Sequence, residues 1–175
     1  SHANGLQVTL DEIEAKRAME QVEEHLIELF ERAPAYSEFP GGLVVTHGAL
    51  ERGMVGKDFS FKRKDYVSQL AMFGETEESD EDQRYLTRIY NWIDGWTDDY
   101  IVVYGHDVVG PEPRIEGPRS NVIGLDTGCA FGGKLSALCW PENEIVSVHS
   151  IHEYSEHKSV LFDTDTACSP KALSV

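Results

Sequence analysis

The sequence predicts an α/β fold, and three observations support that prediction. Apolar residues recur at helical spacing early in the chain, short and wholly apolar strands follow, and two alternating strands lie near the end. The 175 residues, 41% of them hydrophobic, suffice for one globular domain with a buried core. We expect that domain at 1–149 and a flexible tail at 150–175, where the periodicity disappears.

The first predicted element is a helix that ends near Arg32. Thr9 and Glu12 have the spacing of a capping box, and Pro34 lies just beyond the predicted end. The apolar residues that recur at helical spacing between these limits are Ile13, Met19, Val22, Leu26, Leu29 and Phe30.

Two strands, one predicted within the segment GGLVVTHG (41–48) around Leu43, Val44 and Val45 and one at 100–104, are apolar, which is typical of strands covered on both faces. Between them we expect a short helix at 66–72 and a solvated loop over the acidic run 75–83. The rest of the domain is predicted as a Pro- and Gly-rich loop at 110–120 and strands at 121–125, 134–140 and 144–149, the last two forming a hairpin.

Net charge limits the partners that the protein can take. Fifteen Lys and Arg face 31 Asp and Glu, a formal net charge of -16, so a groove for a nucleic-acid backbone is not expected. A small phosphorylated substrate is still allowed, because a local metal pair outweighs distant surface charge. No apolar run reaches the roughly 20 residues of a membrane span. Three cysteines without a C-x-x-C pair favour reduced thiols and a cytoplasmic protein.

Three polar residues stand where predicted strands end: His47, His106 and Asp126. The carboxyl ends of strands in α/β folds are where loops converge and sites form. A glycine beside each histidine lets the backbone turn and leaves room for a ligand. Imidazole binds Mn, Fe, Zn or Ni, so these positions could share a cation. The residues alone also allow a packing role for each histidine and a turn role for the aspartate.

Longer stretches around these residues resemble the C-terminal half of the calcineurin-like metallophosphoesterases. The resemblance is carried by LVVTHGAL, VVYGHDVVGPEP and NVIGLDTGCAFGGKLSALCWPENEIVSV, with further likeness in MFGETEE, IYNWI and SHANGLQVTLDEIE. It covers roughly residues 1–149. The most similar branch holds the symmetrical bis(5'-nucleosyl)-tetraphosphatases and the phosphatase module of bacterial polynucleotide kinase-phosphatases. The fold that it implies is a partial four-layer α/β/β/α sandwich with two packed mixed sheets.

By this resemblance, His47 and His106 bind one ion of a divalent metal pair, with Mn expected and Fe, Zn or Ni as alternatives. Asp126 matches the active-site aspartate that follows them and is our catalytic candidate. Such enzymes hydrolyse phosphoester or phosphoanhydride bonds with a metal-activated water. Dinucleoside tetraphosphates such as diadenosine tetraphosphate are the favoured substrates, with phosphoproteins and nucleic-acid phosphate ends as alternatives.

The sequence lacks three motifs of that family: D-x-H, G-D-x-x-D-R-G and G-N-H-D/E. In the family they supply the remaining metal ligands, the bridging carboxylate and the arginine that grips phosphate. A single catalytic ion needs three or four protein ligands. We therefore expect a C-terminal fragment that needs the N-terminal half of the same domain and is inactive alone. The alternative is a non-catalytic binding or assembly module derived from a metallophosphoesterase.

Other residues allow two interpretations, one structural and one functional. A nucleoside base could stack on a tryptophan, and an arginine could reach a phosphate, although core and surface roles are commoner. His149, His152 and His157 have a spacing that aligns no ligands, and Lys134 is expected to point into solvent. The tryptophans and arginines concerned are Trp92, Trp96, Trp140, Arg63, Arg88, Arg114 and Arg119.

Overall fold

The computed structural model of the chain describes residues 11–12, 19–57, 66–78, 86–153 and 171–172. Three helices and ten strands lie in these ranges. In chain order they are α1 Met19–Arg32, β1 Tyr36–Phe39, β2 Leu43–Thr46, α2 Tyr66–Phe73, β3 Glu75–Glu78, β4 Leu86–Ile89, α3 Asn91–Asp94, β5 Ile101–Tyr104, β6 Arg114–Glu116, β7 Val122–Gly124, β8 Lys134–Cys139, β9 Glu144–His149 and β10 Lys171–Ala172.

The central sheet has five strands in the order β1-β2-β5-β7-β6. The three inner strands β2, β5 and β7 run parallel, and the outer strands β1 and β6 are antiparallel to their neighbours. Val44 pairs with Val102, and Val102 pairs with Val122, so the inner strands lie in register. The carboxyl ends of all three strands therefore reach the same edge of the sheet.

Both faces of the central sheet are covered, as the apolar sequences of its inner strands predict. On one face Val44, Val102 and Val122 pack into a core that includes residues from α2 and α3. On the other face, residues of the same strands pack against the β8–β9 hairpin; this second core holds Leu43, Val103, Ile123 and Ile145, with Leu138 and Trp140 beside it. The molecule is thus a mixed α/β structure with two packed sheets.

Several predicted elements are confirmed with small shifts at their ends. The helix predicted up to Arg32 ends there, although Thr9 of its capping box lies outside the described residues. The predicted helix at 66–72 extends to Phe73, and the strands predicted within 41–48 and at 100–104, 121–125, 134–140 and 144–149 are β2, β5, β7, β8 and β9. Most of the expected tail lies outside the described residues; Lys171–Ala172 pairs with β9.

Two loop predictions are wrong in part. Glu75–Glu78 forms β3, which pairs with Leu86–Ile89, so the cross-strand partner overrides the low strand propensity of an acidic segment. The rest of the acidic run lies outside the described residues. Within 110–120, Arg114–Glu116 adds the short edge strand β6 to the sheet. Elements β1, β4 and α3 were not expected, since each is only four residues long.

The expectation that Lys134 points into solvent is wrong, because its side chain points inward. Its side chain is 6% exposed, and its ammonium pairs with the carboxylate of Glu112. A buried cation needs such a counter-ion, because desolvation of an unpaired charge is costly. The pair therefore fastens the 110–120 segment to the start of β8.

The described residues contain no helix that is both long and apolar enough to cross a membrane.

Tyr104 is buried at the end of β5, 1% exposed, with its hydroxyl 3.4 Å from Glu116 Oε2. Burial and the Glu116 charge raise its pKa to about 12, against 10.0 for a free tyrosine, although Arg114 and Arg88 act the other way. Because the folded state holds this proton more tightly than the unfolded chain does, stability falls as the pH rises from about 10 towards 12.

We predict that Tyr104→Phe flattens this alkaline loss of stability. The measurement is the free energy of unfolding by urea between pH 8 and 11.5, which lie on either side of the free tyrosine pKa. Tyr100→Phe is the control, since Tyr100 is more than a third exposed. Equal slopes against pH for the wild type and Tyr104→Phe would contradict the prediction.

Candidate metal centre

The three inner strands bring the predicted site residues to one edge of the central sheet. His47 follows β2, His106 lies one residue beyond Gly105 at the end of β5, and Asp126 comes shortly after β7. Gly105 N donates to His47 O at 3.0 Å, and Leu125 N donates to Tyr104 O at 3.0 Å. Parallel pairing thus continues beyond the strands and joins their three exit loops.

The two imidazoles face each other across this edge. His47 Nε2 lies 3.1 Å from His106 Nδ1, and the ring centroids are 4.8 Å apart. Both residues are exposed. His106 has φ 72, a left-handed conformation that is uncommon for residues other than glycine and costs free energy. Histidines that only filled the core would be buried, whereas these two are exposed and point a ring nitrogen at each other.

The electrostatic surroundings favour the neutral form of His106. Partial desolvation of the imidazole, although the residue as a whole is exposed, lowers its pKa below the ordinary value; His47 and the Arg88 guanidinium lower the pKa further, and Asp107 and Asp126 act in the opposite direction. A neutral imidazole nitrogen has a free lone pair, which is the form that binds metals.

The separation of the two nitrogens fits one shared cation. Nitrogens each about 2.0–2.1 Å from one ion stand roughly 2.8–3.4 Å apart at octahedral or tetrahedral angles, and the observed 3.1 Å lies in that range. A hydrogen bond between two neutral imidazoles has the same length when no ion is present. Among the described residues, no group of three or more His, Cys, Asp or Glu is placed to hold a metal. By itself the pair could therefore offer a cation two ligands and no more.

Asp126 lies at the same edge, but its oxygens accept hydrogen bonds from backbone amides. Its Oδ1 accepts a hydrogen bond from Gly128 N at 3.1 Å, and its carbonyl accepts one from Val109 N at 2.9 Å. The first is the turn contact that its sequence context also predicted, and the second joins the segment after β5 to the segment after β7. Its charge acts on the pKa of His106, so it lies within electrostatic range of the pair. A catalytic role for Asp126 stays a prediction.

Gly48 shows that one flanking glycine has a different purpose from the one expected. A Cβ atom at residue 48 would lie 2.4 Å from Gly74 N and 3.0 Å from Leu70 O. The space beside Gly48 is therefore filled by the end of α2 and is not room for a ligand. At Gly105 the nearest atom to an added Cβ is His47 O at 3.9 Å, so that position is open.

Arg88 and Asp107 belong to this edge, although the sequence offered Arg88 only as one of four arginines that could reach a phosphate and gave Asp107 no role. The Arg88 guanidinium donates to Gly105 O at 3.2 Å and to Gly48 O. Asp107 accepts a hydrogen bond from the hydroxyl of Tyr90, and burial and this contact raise the pKa of Tyr90. The position of Asp107 directly after His106 was the one available signal.

A cavity of 280 Å³ opens beside His106. It is lined by Phe73, Thr76, Arg88, His106 and Asp107, and the Phe73 ring meets His106 edge-on at 6.0 Å. Thr76 and Arg88 are paired across β3 and β4, so the β3–β4 ribbon forms one wall. The cavity thus combines the guanidinium of Arg88, the carboxylate of Asp107, the hydroxyl of Thr76 and the ring of Phe73 next to the histidine pair.

The tryptophans do not offer three stacking surfaces. Trp96 is fully buried and donates to Tyr100 O at 3.2 Å, so no base can stack on it. Trp92 packs edge-on against Tyr104 at 5.5 Å, and Trp140 donates to Pro40 O at 2.9 Å beside the second core. The core and rim roles are observed for all three.

The structure thus brings together, at the exit of parallel strands, the two histidines that the metallophosphoesterase resemblance singled out. No model of a known protein family matches the chain. Comparison with curated proteins, however, relates it to the bis(5'-nucleosyl)-tetraphosphatases and confirms the predicted relationship.

The relatives are named bis(5'-nucleosyl)-tetraphosphatase PrpE (asymmetrical). The Anoxybacillus flavithermus protein is 33% identical over 164 residues, which cover 91% of this chain and 62% of that protein. The Bacillus subtilis protein is 35% identical over 158 residues, 89% of this chain and 61% of that one. A crystal structure provisionally named as a diadenosine tetraphosphatase superposes with TM-score 0.42 and 25% identity, over 62% of this chain and 47% of that one. The chain spans about six-tenths of the length of its curated relatives.

We predict that Gly48→Ala destabilises the protein by about 1–3 kcal/mol, because the new Cβ would overlap backbone that cannot move away easily. Gly95→Ala is the control, since its Cβ would meet only ordinary contacts of 3.6 Å or more and its φ is -79. The measurement is the free energy of unfolding in urea. Equal stability of the two variants would contradict the close packing of Gly48 against Gly74.

Proposed function

We propose that this chain is the C-terminal portion of a metal-dependent phosphoesterase that hydrolyses phosphoester or phosphoanhydride bonds. Dinucleoside tetraphosphates are the proposed substrates, and Mn is the proposed metal, with Fe, Zn or Ni as alternatives. The observation that carries the proposal is the 3.1 Å approach of His47 Nε2 to His106 Nδ1 at the ends of adjacent parallel strands. The names of the relatives, each 33–35% identical, support the substrate class.

In this proposal the residues of the chain hold and shape one side of the site. His47 and His106 bind one cation through the two facing nitrogens, and the neutral form of His106 leaves its lone pair available. When bound, a divalent metal pair polarises a phosphate oxygen and lowers the pKa of a water. Asp126 would orient that water or a further ligand, and the cavity beside His106 would receive part of the substrate.

The remaining metal ligands would come from polypeptide that carries D-x-H, G-D-x-x-D-R-G and G-N-H-D/E. We propose that this polypeptide completes a four-layer sandwich with the two sheets described above. The two described cysteines, Cys129 and Cys139, are free, in keeping with a cytoplasmic setting.

The relatives carry the designation asymmetrical, whereas the sequence motifs pointed to the symmetrical branch. The two branches differ in which phosphoanhydride bond is cleaved. Asymmetrical cleavage of a dinucleoside tetraphosphate yields a nucleoside triphosphate and a monophosphate, and symmetrical cleavage yields two diphosphates. Chromatography of the products therefore distinguishes the branches in any active preparation.

We predict that the chain alone shows no Mn-dependent hydrolysis of diadenosine tetraphosphate or p-nitrophenyl phosphate, because two histidines cannot hold a metal pair. A longer protein that includes the three motifs is expected to hydrolyse both. Phosphate release and chromatography of nucleotides are the measurements. Robust turnover by the chain alone, abolished in His106→Ala, would contradict the prediction. Failure of the longer protein to hydrolyse any phosphoester would favour the non-catalytic binding module instead.

In that longer protein, His47→Ala is predicted to reduce kcat/KM by several orders of magnitude, because one direct metal ligand is lost. His25→Ala, an exposed histidine on α1, is the control and is expected to keep the wild-type rate. Bound metal is measured in both by elemental analysis. A loss below about tenfold, smaller than the roughly 10–100-fold typical of residues that only support a ligand, would remove His47 from the metal site.

A further inference from the structure

We propose that Arg88 is a positioning residue that fixes the spacing of His47 and His106 by joining the backbones beside them. This inference rests on the proposed function, because the spacing matters only if the two imidazoles share a cation. Arg88 lies on β4, at least 17 residues in sequence from either carbonyl that it contacts.

The contacts of Arg88 fall on the two residues that adjoin the histidines. Nη2 donates to the carbonyl of Gly48, the residue after His47, and Nη1 donates to the carbonyl of Gly105, the residue before His106, at 3.2 Å. The guanidinium is planar and rigid, so its two outer nitrogens hold the two carbonyls at a set separation. One side chain thereby links the exit loops of β2 and β5.

Arg88 is itself held in place on several sides. It pairs with Thr76 across the β3–β4 ribbon, and its guanidinium carbon lies 5.4 Å from the centroid of the Tyr90 ring and 5.9 Å from that of Tyr104. A Cβ atom at Gly74 would lie 2.6–2.8 Å from the guanidinium atoms, so only glycine leaves room for it there. These contacts hold the guanidinium in place independently of its hydrogen bonds to Gly48 and Gly105.

The exit loops of β2 and β5, which carry His47 and His106, need such support. Both histidines are exposed, and His106 adopts a left-handed φ of 72 that surrounding contacts must stabilise. One direct backbone bond, from Gly105 N to His47 O, joins the loops at this point. Residues that orient metal ligands without touching the metal typically change metal affinity by about 10–100-fold when they are removed.

A role for Arg88 as a phosphate ligand is the rival explanation, because it also lines the cavity beside His106. The observed contacts favour the positioning role, since both outer nitrogens already donate to backbone carbonyls. The two roles predict different effects on metal binding measured without substrate.

The experiment compares Arg88→Ala, Arg88→Lys and Arg114→Ala in this chain. Arg114 is the matched control, because it also lies over the Tyr90 ring, at 5.7 Å, but donates to Val109 O and not to a residue that adjoins either histidine. Zn²⁺ is titrated while the ring nitrogens of His47 and His106 are followed by NMR. We expect Zn²⁺ affinity to fall about tenfold or more in both Arg88 variants, with methylguanidinium restoring it in Arg88→Ala, and to change less than about twofold in Arg114→Ala.

A second readout does not depend on the metal. Hydrogen exchange of the Gly105 amide, which bonds to His47 O, is expected to become faster in both Arg88 variants and to be unchanged in Arg114→Ala. Arg88→Lys keeps a cation without the planar fork, so it serves if Arg88→Ala unfolds. Unchanged exchange in a folded Arg88 variant would overturn the proposal. So would unchanged Zn²⁺ affinity combined with weaker phosphate binding.

If the wild-type histidines show no response to Zn²⁺, the proposed metal function fails, and Gly105 exchange alone then decides whether Arg88 joins the loops.

Discussion

The in-register parallel pairing of β2, β5 and β7 is the constraint on which the candidate site depends. A shift of one residue in either pairing would turn the apolar side chains of a strand to the opposite face, so the two cores on either side of the sheet fix the register. With the register fixed, the strands end at the same edge, and their exit loops continue to hydrogen-bond to one another. Core packing thus brings His47 and His106 to one edge of the sheet, where the proposed role of Arg88 is to set their spacing.

The parts of the fold that carry strong local patterns could be predicted from the sequence. The three apolar strands and the alternating β8–β9 hairpin were predicted because their patterns reflect burial on two faces or on one. The acidic strand β3 could not, because its strand form depends on β4 and not on its own residues. The histidines were identified as strand-end residues, whereas Arg88 resembled an ordinary surface arginine. Its contacts reach carbonyls distant in sequence, and backbone carbonyls leave no signal in the identity of a residue.

The local charge at this edge of the sheet differs from the net charge of the whole molecule. The chain carries a formal net charge of -16, which attracts divalent cations and opposes the approach of a polyphosphate. Near the histidines, two arginines lie over the Tyr90 ring and the imidazole of His106 tends to be neutral. A polyanionic substrate would therefore depend on local positive charge, which bound metal ions supply at much shorter range than the surface carboxylates act.

The left-handed backbone at His106 restricts which ligand residues could replace it in a redesign of the proposed metal centre. Among residues with donor atoms, asparagine and aspartate tolerate such a φ best, whereas glutamate, cysteine and other side chains would add to the cost. Exchange to aspartate would replace a borderline nitrogen with a hard oxygen and move the preference towards magnesium or calcium. A thiolate for softer ions would be accommodated more readily at residue 47, which does not have this backbone conformation.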